Sequence, residues 1–308
     1  MIPDLLSRDT VGEFSTLWRA GSRQEPAPVP GPPPRRCRSV ALASGQTGAG
    51  TSFLARHLSL ALSRQGHAVC LLEEGTRDGI SLWTGSPAGQ LADVLAGHRT
   101  LSEILQRGPG GLRSIAGAQS LAHVAECSRH RRADFIEQLL DLEAQCDVLV
   151  IDAGSVAAGD GVGSRWRLAQ RTDALCLVAT PEPQVVPETL ALLRGLPGDT
   201  GPHTLRLIIN QADSPEQAHG ILARIQQGAR NHGGALVTGV GYIPFDQAAS
   251  QAVLSPASPG TTSSRARAAR AIDQIAHRLA STVQADSHSP SSLSFPSLHV
   301  PSVAPSVV

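Results

Sequence analysis

The sequence predicts an α/β fold in which helices sandwich a mostly parallel sheet. Short runs of Val, Ile, Leu and Ala alternate along the chain with longer segments of helical period. The runs are apolar almost throughout, which indicates strands that are covered on both faces. A glycine-rich turn joins the first run to the first helix. The 308 residues, of which 41 % are apolar, suffice for one large core.

Six apolar runs are predicted to be strands. They are "SVALAS" (39–44), "AVCLLE" (68–73), "DVLVIDAG" (147–154), "ALCLVAT" (174–180), "LRLIIN" (205–210) and "ALVTGVGYIP" (235–244). Ligands of parallel sheets bind at the carboxyl ends of the strands, so the candidate site is sought there.

Helices are predicted where apolar residues recur at helical spacing, over residues 52–66, 134–145, 188–196, 214–233 and 264–283. The last of these helices carries an Ile/Leu/Val stripe beside three arginines. The stripe residues are Ile272, Ile275, Leu279 and Val283, and the arginines are Arg265, Arg267 and Arg270. Packing on the sheet is the simpler interpretation of this stripe, and an amphipathic membrane anchor is the alternative. The basic run "RHRR" (129–132) is interpreted as a solvated loop, with contact to a phosphate or an acidic partner as the alternative.

Composition divides the chain into four segments. A short helix is predicted over residues 1–20, where it would present a peptide to a partner. A Pro-rich linker follows over residues 21–37. The folded domain covers residues 38–283, and the Ser/Pro-rich tail over residues 284–308 is expected to be disordered.

The overall charge and the cysteines exclude several classes of protein. A formal net charge of zero gives no support to direct nucleic-acid binding, which usually needs a basic face. No signal peptide is recognised, and no apolar run approaches the ~20 residues of a membrane span. We therefore expect a cytoplasmic protein. Its five cysteines show no CxxC spacing and are expected to be reduced and mostly buried.

A candidate phosphate loop, "GQTGAGTS" (45–52), follows the first strand. Gly45 and Gly50 match the spacing of G-x-x-x-x-G-K-[ST], and Ser52 occupies the position whose hydroxyl meets Mg²⁺. Thr51 replaces the lysine. Glycines let several backbone N–H groups converge on one anion, and the helix N-terminus adds partial positive charge. The loop therefore predicts a phosphate site, with a purely structural turn as the alternative.

The missing lysine has energetic consequences, because the chain contains no lysine at all and its 26 basic residues are all arginine. A hydrogen bond to a charged group contributes about 1.5–3 kcal/mol, so nucleotide binding is expected to weaken roughly ten- to a hundredfold. The rate of hydrolysis is expected to fall by a larger factor than the affinity, since the lysine also neutralises charge on the transferred phosphate. Asp152 ends an apolar strand, as does the carboxylate that lies near Mg²⁺ in such proteins. Ser52 and Asp152 are thus the predicted magnesium ligands.

These segments resemble the MinD/ParA family of deviant Walker ATPases, and within it the FlhG (FleN) subgroup of flagellar number regulators. The resemblance covers residues 38–283. "SGQTGAGTS" lies where the family has S-G-K-G-G-V-G-K-T, and "VLVIDAGS" resembles its switch II. "ATPEPQVV" is similar to the T-P-E-P segment of the subgroup. "IINQADSPEQA" and "GYIPFDQAASQAVL" are similar to the nucleotide-base region and the following helix.

The resemblance implies a P-loop fold that binds ATP or ADP with Mg²⁺ and dimerises over two nucleotides. The implied cofactor contacts are Gly45, Gly48, Gly50, Thr51, Ser52, Asn210, Pro244 and Asp246, with Asn210 at the adenine base. The implied partner is an FlhF-like GTPase or another protein of the flagellar apparatus. The implied location is the cytoplasm, with peripheral contact at the inner membrane or the cell pole.

Three departures from the family pattern bear on catalysis. Gln46 and Thr51 occupy the positions of the two family lysines, and Gly75 occupies that of the water-positioning aspartate. No residue is therefore assigned a catalytic role, and hydrolysis is predicted to be slow or absent. Compensation by Glu73 or Glu74 is the alternative.

Three functional hypotheses follow. The leading one is an FlhG/MinD-like nucleotide-binding regulator or scaffold with a degenerate site, which controls the number or placement of flagella or of another polar machine. The second is a weakly active MinD-type ATPase in which an arginine such as Arg56 or Arg77 replaces the lysines. The third is a pseudo-ATPase localisation factor for a pilus, secretion or cellulose apparatus.

Overall fold

The computed structural model describes residues 37–73, 89–117, 120, 124, 127–156, 169–170, 172–195, 205–231, 236–246 and 267–285. The strands in this part of the chain are β1 (Arg38–Ser44), β2 (Val69–Glu73), β3 (Gln106–Arg107), β4 (Arg113–Ala116), β5 (Val148–Ser155), β6 (Ala174–Ala179), β7 (Leu205–Ala212) and β8 (Val237–Pro244). They form one sheet in the order β3-β4-β2-β5-β1-β6-β7-β8. Every pair is parallel except β3 with β4. The predicted α/β fold with a mostly parallel sheet is confirmed.

The helices are α1 (Thr51–Arg64), α2 (Leu91–Ala96), α3 (Leu101–Ile104), α4 (Arg129–Ala144), α5 (Val185–Arg194), α6 (Pro215–Asn231) and α7 (Arg267–Ala285). Helices α1 and α7 share one apolar core with one face of the sheet. Helices α2 to α6 share a second core with the opposite face. Successive strand residues face opposite sides, so Leu71 belongs to the first core and Leu72 to the second. This two-sided burial explains why the strand runs are apolar throughout.

The apolar stripe of α7 packs inside the protein. Ile272, Ile275 and Leu279 are buried in the core that α1 also lines. Nη1 of Arg278 donates to the carbonyl of Val240 at 2.7 Å and fixes the helix to β8. The packing interpretation is therefore confirmed for these three residues, while the side chain of Val283 lies outside the described part. Among the described helices, none is long and apolar enough to cross a membrane.

The interpretation of "RHRR" as a loop is wrong, because these residues form the first turn of α4. Ser128 caps this helix, and its hydroxyl accepts a hydrogen bond from the backbone N–H of Arg131 at 3.3 Å. Serine is a preferred N-cap and arginine a good helix former, which explains the earlier start. Arg129 and Arg131 are exposed to solvent, whereas Arg132 is half-buried.

Several predictions concern residues outside the described part of the chain. The N-terminal helix over 1–20, nearly all of the linker over 21–37 and the tail beyond Ala285 belong to this group. The division of the chain into these segments stays a prediction. All five cysteines are described, and among them no disulfide forms; Cys70, Cys146 and Cys176 are buried.

Candidate functional site

The candidate phosphate loop lies between β1 and α1, at the carboxyl edge of the sheet. Gly48 and Gly50 take φ angles of +80° and +83°, which bend the chain sharply before the helix. Gly50 is the N-cap, and its carbonyl accepts the first helical hydrogen bond, from Leu54 N–H at 2.9 Å. The N–H groups of the first turn have no acceptor within the helix and add to its positive end. This geometry can hold an anion through backbone donors alone.

Asn210, near the carboxyl end of β7, is hydrogen-bonded to the backbone of the phosphate loop. Its side chain is buried, and Nδ2 donates to the carbonyl of Ala49 at 2.8 Å. Its Oδ1 accepts from the backbone N–H of Gln211 at 3.0 Å. A Cβ atom built on Gly50 would lie 2.5 Å from the same Nδ2 atom. Position 50 therefore requires glycine both for its φ angle and for this close approach.

Ser52 and Asp152 meet beside the loop. Asp152 lies on β5 and is buried; its Oδ1 accepts from the backbone N–H of Gly154 at 3.0 Å. Burial raises the pKa of the Asp152 carboxyl, whereas its hydrogen bonds to Ser52 and Gly154 and the nearby Arg56 partly oppose this shift. A hydroxyl and a carboxylate side by side form an oxygen donor set that suits Mg²⁺. The residues present thus fit the ion that the family implies.

An arginine and a second carboxylate complete this corner of the site. Nε of Arg56, one helical turn after Ser52, lies 3.4 Å from Oε2 of Glu73 at the end of β2. Burial raises the pKa of the Glu73 carboxyl, the charge of Arg56 lowers it, and the charge of Asp152 raises it further. Arg56 therefore offsets part of the negative charge of both carboxylates. Arg56 was named from the sequence without this placement, which the spacing of four residues from Ser52 on one helix could have indicated.

Gln46 points into the protein. Its side chain is 7 % exposed, and its Oε1 accepts a hydrogen bond from the hydroxyl of Thr180 at 3.0 Å. Its Nε2 lies at the limit of hydrogen bonding, 3.4 Å from Oε2 of Glu182. Both partners belong to the "TPEP" segment between β6 and α5. Sequence reasoning noticed this segment only as a family hallmark and missed its contact with the loop.

No family model matches the chain. The antiactivator FleN of Pseudomonas aeruginosa is 29 % identical over 242 residues, which cover 78 % of this chain and 85 % of that protein. The solved structure of the septum site-determining protein MinD with Mg-ADP from Pyrococcus horikoshii matches with a TM-score of 0.60 and 18 % identity, over 79 % of this chain and 96 % of that one. A ParA family ATPase from Chlorobium tepidum matches with a TM-score of 0.57 and 20 % identity, over 78 % and 98 %.

The chain has the fold of MinD and ParA proteins and is similar in sequence to FleN, as expected for an FlhG-like member of the MinD/ParA family. The structure brings together most of the site residues predicted for such a member. Gly45 lies against the backbone of Glu188, and Thr51 is buried at the start of α1. Pro244 pairs with Ala212 at the carboxyl end of β8, three strands along from β1.

The structure gives less information on the remaining predicted positions, several of which lie outside the described residues. Asp246 follows β8 at the same edge of the sheet, half-buried. Gly75, Glu74 and Arg77 lie outside the described residues, so the predicted loss of the water-positioning aspartate at Gly75 stays a prediction. The adenine contact of Asn210 also stays a prediction, and the amide that would make it is engaged with the loop.

Proposed function

We propose that this chain is an FlhG/MinD-like regulatory protein that binds ATP or ADP with Mg²⁺ weakly and hydrolyses it slowly or not at all. The bent loop at the start of α1 and the adjacent Ser52 and Asp152 support the binding. The MinD protein of Pyrococcus horikoshii, whose fold this chain shares, was solved as a complex with Mg-ADP, and this supports the choice of ligand. The expected weakness follows from the charges of the loop.

The observation that carries this proposal is the direction of the two side chains at the family's lysine positions. Gln46 and Thr51 are uncharged and only 7 % and 6 % exposed. Gln46 is held by Thr180, so it does not extend from the loop surface. Phosphate groups would therefore be held by backbone N–H groups and the helix N-terminus, without a charged donor from these positions.

Ser52 and Asp152 would hold Mg²⁺ in this site. When bound, the ion would neutralise negative charge on the phosphates. The Ser52 hydroxyl lies close enough to Asp152 to lower the pKa of its carboxyl, and Oδ1 of Asp152 accepts a hydrogen bond from the N–H of Gly154. Arg56 limits the repulsion between Asp152 and Glu73 before any ligand arrives.

Calorimetric titration with Mg-ATP, Mg-ADP and a non-hydrolysable analogue, with phosphate release followed in parallel, tests this proposal. We expect a Kd between micromolar and sub-millimolar values and little release. Ser52→Ala and Asp152→Ala should weaken binding in the presence of Mg²⁺. Asp273→Ala is the matched control, because Asp273 is an exposed carboxylate that pairs with Arg64 on the outer surface. No binding at millimolar nucleotide would contradict the proposal.

For the cellular role, we propose control of the number or placement of flagella or of another polar machine, with an FlhF-like GTPase as partner. The similarity to the antiactivator FleN supports this assignment. Deleting the gene should change flagellar number or position, and co-purification with the GTPase should depend on added nucleotide. Unaltered flagella together with neighbouring pilus, secretion or cellulose genes would favour a localisation factor instead. Light scattering with and without Mg-ATP would test the proposed dimer.

A weakly active ATPase is the second candidate, and the position of Arg56 favours it. Nε of Arg56 lies 3.4 Å from Oε2 of Glu73, and its charge also lowers the pKa of Asp152 beside the loop. A rotation toward the phosphates would supply the charge that the lysines provide in the family. Arg56→Gln should then abolish phosphate release, and Arg56→Lys should retain part of it. Equal release by the wild type and by Arg56→Gln would exclude this role.

A further inference from the structure

Three cysteines converge at the amino edge of the sheet, opposite the phosphate loop. Cys37 directly precedes β1, Cys70 is the second residue of β2, and Cys146 lies just before β5. These three strands are neighbours in the sheet. The side chains of Cys37 and Cys70 both lie close enough to Cys146 to influence its pKa. The cluster is separate from the candidate nucleotide site, and the proposed function does not use it.

The positively charged side chain of Arg113, on β4, contacts the sulfur of Cys146. Nη2 of Arg113 donates to Sγ of Cys146 at 3.1 Å. The guanidinium is held there by Gln145, whose backbone carbonyl and Oε1 atom both accept from it. The hydrogen bonds from Cys37 and Cys70, together with the charge of Arg113, hold the pKa of Cys146 below its ordinary value. A thiolate stabilised in this way is the nucleophilic form of cysteine.

The other cysteines of the cluster differ in access and protonation. Cys37 is half-buried, whereas Cys70 is completely buried. The hydrogen bond to Cys146 and burial raise the pKa of both thiols, so each stays protonated and acts as donor. Cys176, buried away from the cluster, has its pKa raised to about 12 by burial. The contact with Arg113 thus favours the thiolate at Cys146, which is 5 % exposed, and Cys37 is the neighbouring, half-buried thiol.

We propose that Cys146 is a peroxide-reactive cysteine and that Cys37 resolves its oxidised form as a disulfide. The Cys146 thiolate attacks one oxygen of hydrogen peroxide, the O–O bond breaks, and the products are a sulfenic acid and hydroxide. The Cys37 sulfur then attacks the sulfenic sulfur. The S–O bond breaks, a disulfide forms, and the oxygen leaves as water with the thiol proton. Two electrons pass from the pair of thiols to one peroxide.

Strand pairing places the two residues within reach of a disulfide. Arg38 pairs with Val148 across β1 and β5, so Cys37 and Cys146 lie one and two residues before this pair. Neighbouring strands are about 4.8 Å apart, and the offset of one residue adds about 3.3 Å along the strand, which gives a Cα separation of about 5.8 Å. A disulfide requires about 4.4–6.8 Å. The backbone N–H of Arg38 also donates to the carbonyl of Asp147 at 2.9 Å. The disulfide would fasten the segment before β1 to the start of β5.

Peptide mapping of the full-length chain after hydrogen peroxide treatment at neutral pH tests this proposal. Remaining thiols are alkylated, and the digest is analysed by mass spectrometry. We expect a peptide in which Cys37 is joined to Cys146, and the loss of one pair of thiols per chain. Cys37→Ser should stop the reaction at the sulfenic acid of Cys146, which dimedone traps. Arg113→Gln should slow thiol loss severalfold, and Arg113→Lys should restore part of the rate.

Cys127 provides the matched control. It is half-buried like Cys37 but lies outside the cluster, with its Sγ 3.9 Å from the carbonyl of Leu95. Cys127→Ser should leave the rate and the product unchanged, whereas Cys146→Ser should abolish the disulfide. Circular dichroism of each variant establishes that it is folded. Oxidation of Cys127 as fast as Cys146, or a disulfide from Cys146 to Cys70, would overturn the proposal.

Discussion

Oε1 of Gln46 accepts a hydrogen bond from the hydroxyl of Thr180 at 3.0 Å, which fastens the phosphate loop to the turn after β6. Both side chains are buried, so water does not readily replace the bond. Position 46, at which the family pattern described above has a lysine, therefore holds an internal contact here. The loop gains rigidity, and it loses a group that would act on a ligand.

Gln46→Ala is expected to lower the free energy of unfolding by about 1–3 kcal/mol, because it leaves the buried Thr180 hydroxyl without this acceptor. Urea unfolding followed by circular dichroism measures the change. Thr47→Ala, at the exposed neighbouring position, is the control and should be nearly neutral. Equal stability of the two variants would show that the contact contributes little.

Gly50→Ala is expected to destabilise the protein more than Gly48→Ala. Both positions have positive φ angles, for which an L-residue costs roughly 1–2 kcal/mol. Only at Gly50 would the new Cβ also meet Nδ2 of Asn210, at 2.5 Å, whereas nothing lies within 4 Å of a Cβ at Gly48. Urea unfolding of the two variants isolates the steric contribution.

The variant Asn210→Ala tests the origin of that difference. Combined with Gly50→Ala, it should recover part of the lost stability, because the clashing amide is gone. The coupling in this double-mutant cycle is expected to be about 0.5–3 kcal/mol. Strict additivity of the two substitutions would mean that the loop bends away from Asn210 without cost.

The sheet was largely predictable from sequence, because two-sided burial leaves runs that are mostly or wholly apolar, such as 174–179. Strand β4 was missed, since its four residues "RSIA" are too few to show a pattern. The start of α4 was missed because the charged run 129–132 was interpreted as a loop, although Ser128 just before it is the N-cap of the helix. Short elements and helix ends depend on such single residues and their neighbours.

The candidate site was predictable in its backbone but less so in its side chains. Glycine spacing identified the loop, because φ angles restrict the residue type locally. The direction of Gln46 depends on Thr180, 134 residues away in the sequence, and no local pattern contains it. The pairing of Arg56 with Glu73 likewise depends on how α1 packs beside β2.

Asp152→Asn is expected to stabilise the protein at pH 7 relative to the wild type. Burial raises the pKa of this carboxyl in the folded protein. Protonation of Asp152 therefore makes its full contribution to stability at pH values below the ordinary pKa near 3.9. That contribution is lost as the pH rises through the raised folded pKa. The advantage of the variant should therefore shrink as the pH falls toward about 4. Urea unfolding across this range checks the prediction.

The exposed Asp273 provides the comparison for this experiment. Asp273→Asn removes a surface carboxylate that pairs with Arg64, so it should change stability little at neutral pH. A loss of stability in Asp152→Asn at neutral pH would mean that its hydrogen bonds outweigh the effect of burial. Mg²⁺ should stabilise the wild type more than this variant, since the ion needs the carboxylate.

His57 is expected to make the protein sensitive to mild acid. Its ring lies on that of Phe53, with centroids 3.9 Å apart, and Nδ1 is 2.8 Å from the Phe53 carbonyl. Burial lowers the pKa of His57, and Arg56 and Arg64 lower it further, against the effect of the Phe53 carbonyl. The neutral ring therefore makes its full contribution to stability at pH values above the ordinary pKa near 6.5. This contribution is lost as the pH falls through the lowered pKa of the folded state.

His57→Gln should remove this part of the pH dependence. The difference in unfolding free energy between wild type and variant, measured by urea titration at intervals from pH 8 to pH 5, should shrink as the pH falls below about 6.5. His219→Gln, at an exposed position of α6, is the control for the replacement of a histidine by glutamine. If His57→Gln and the wild type follow parallel curves, burial does not hold the imidazole neutral. The acid sensitivity would then arise from other groups of the fold.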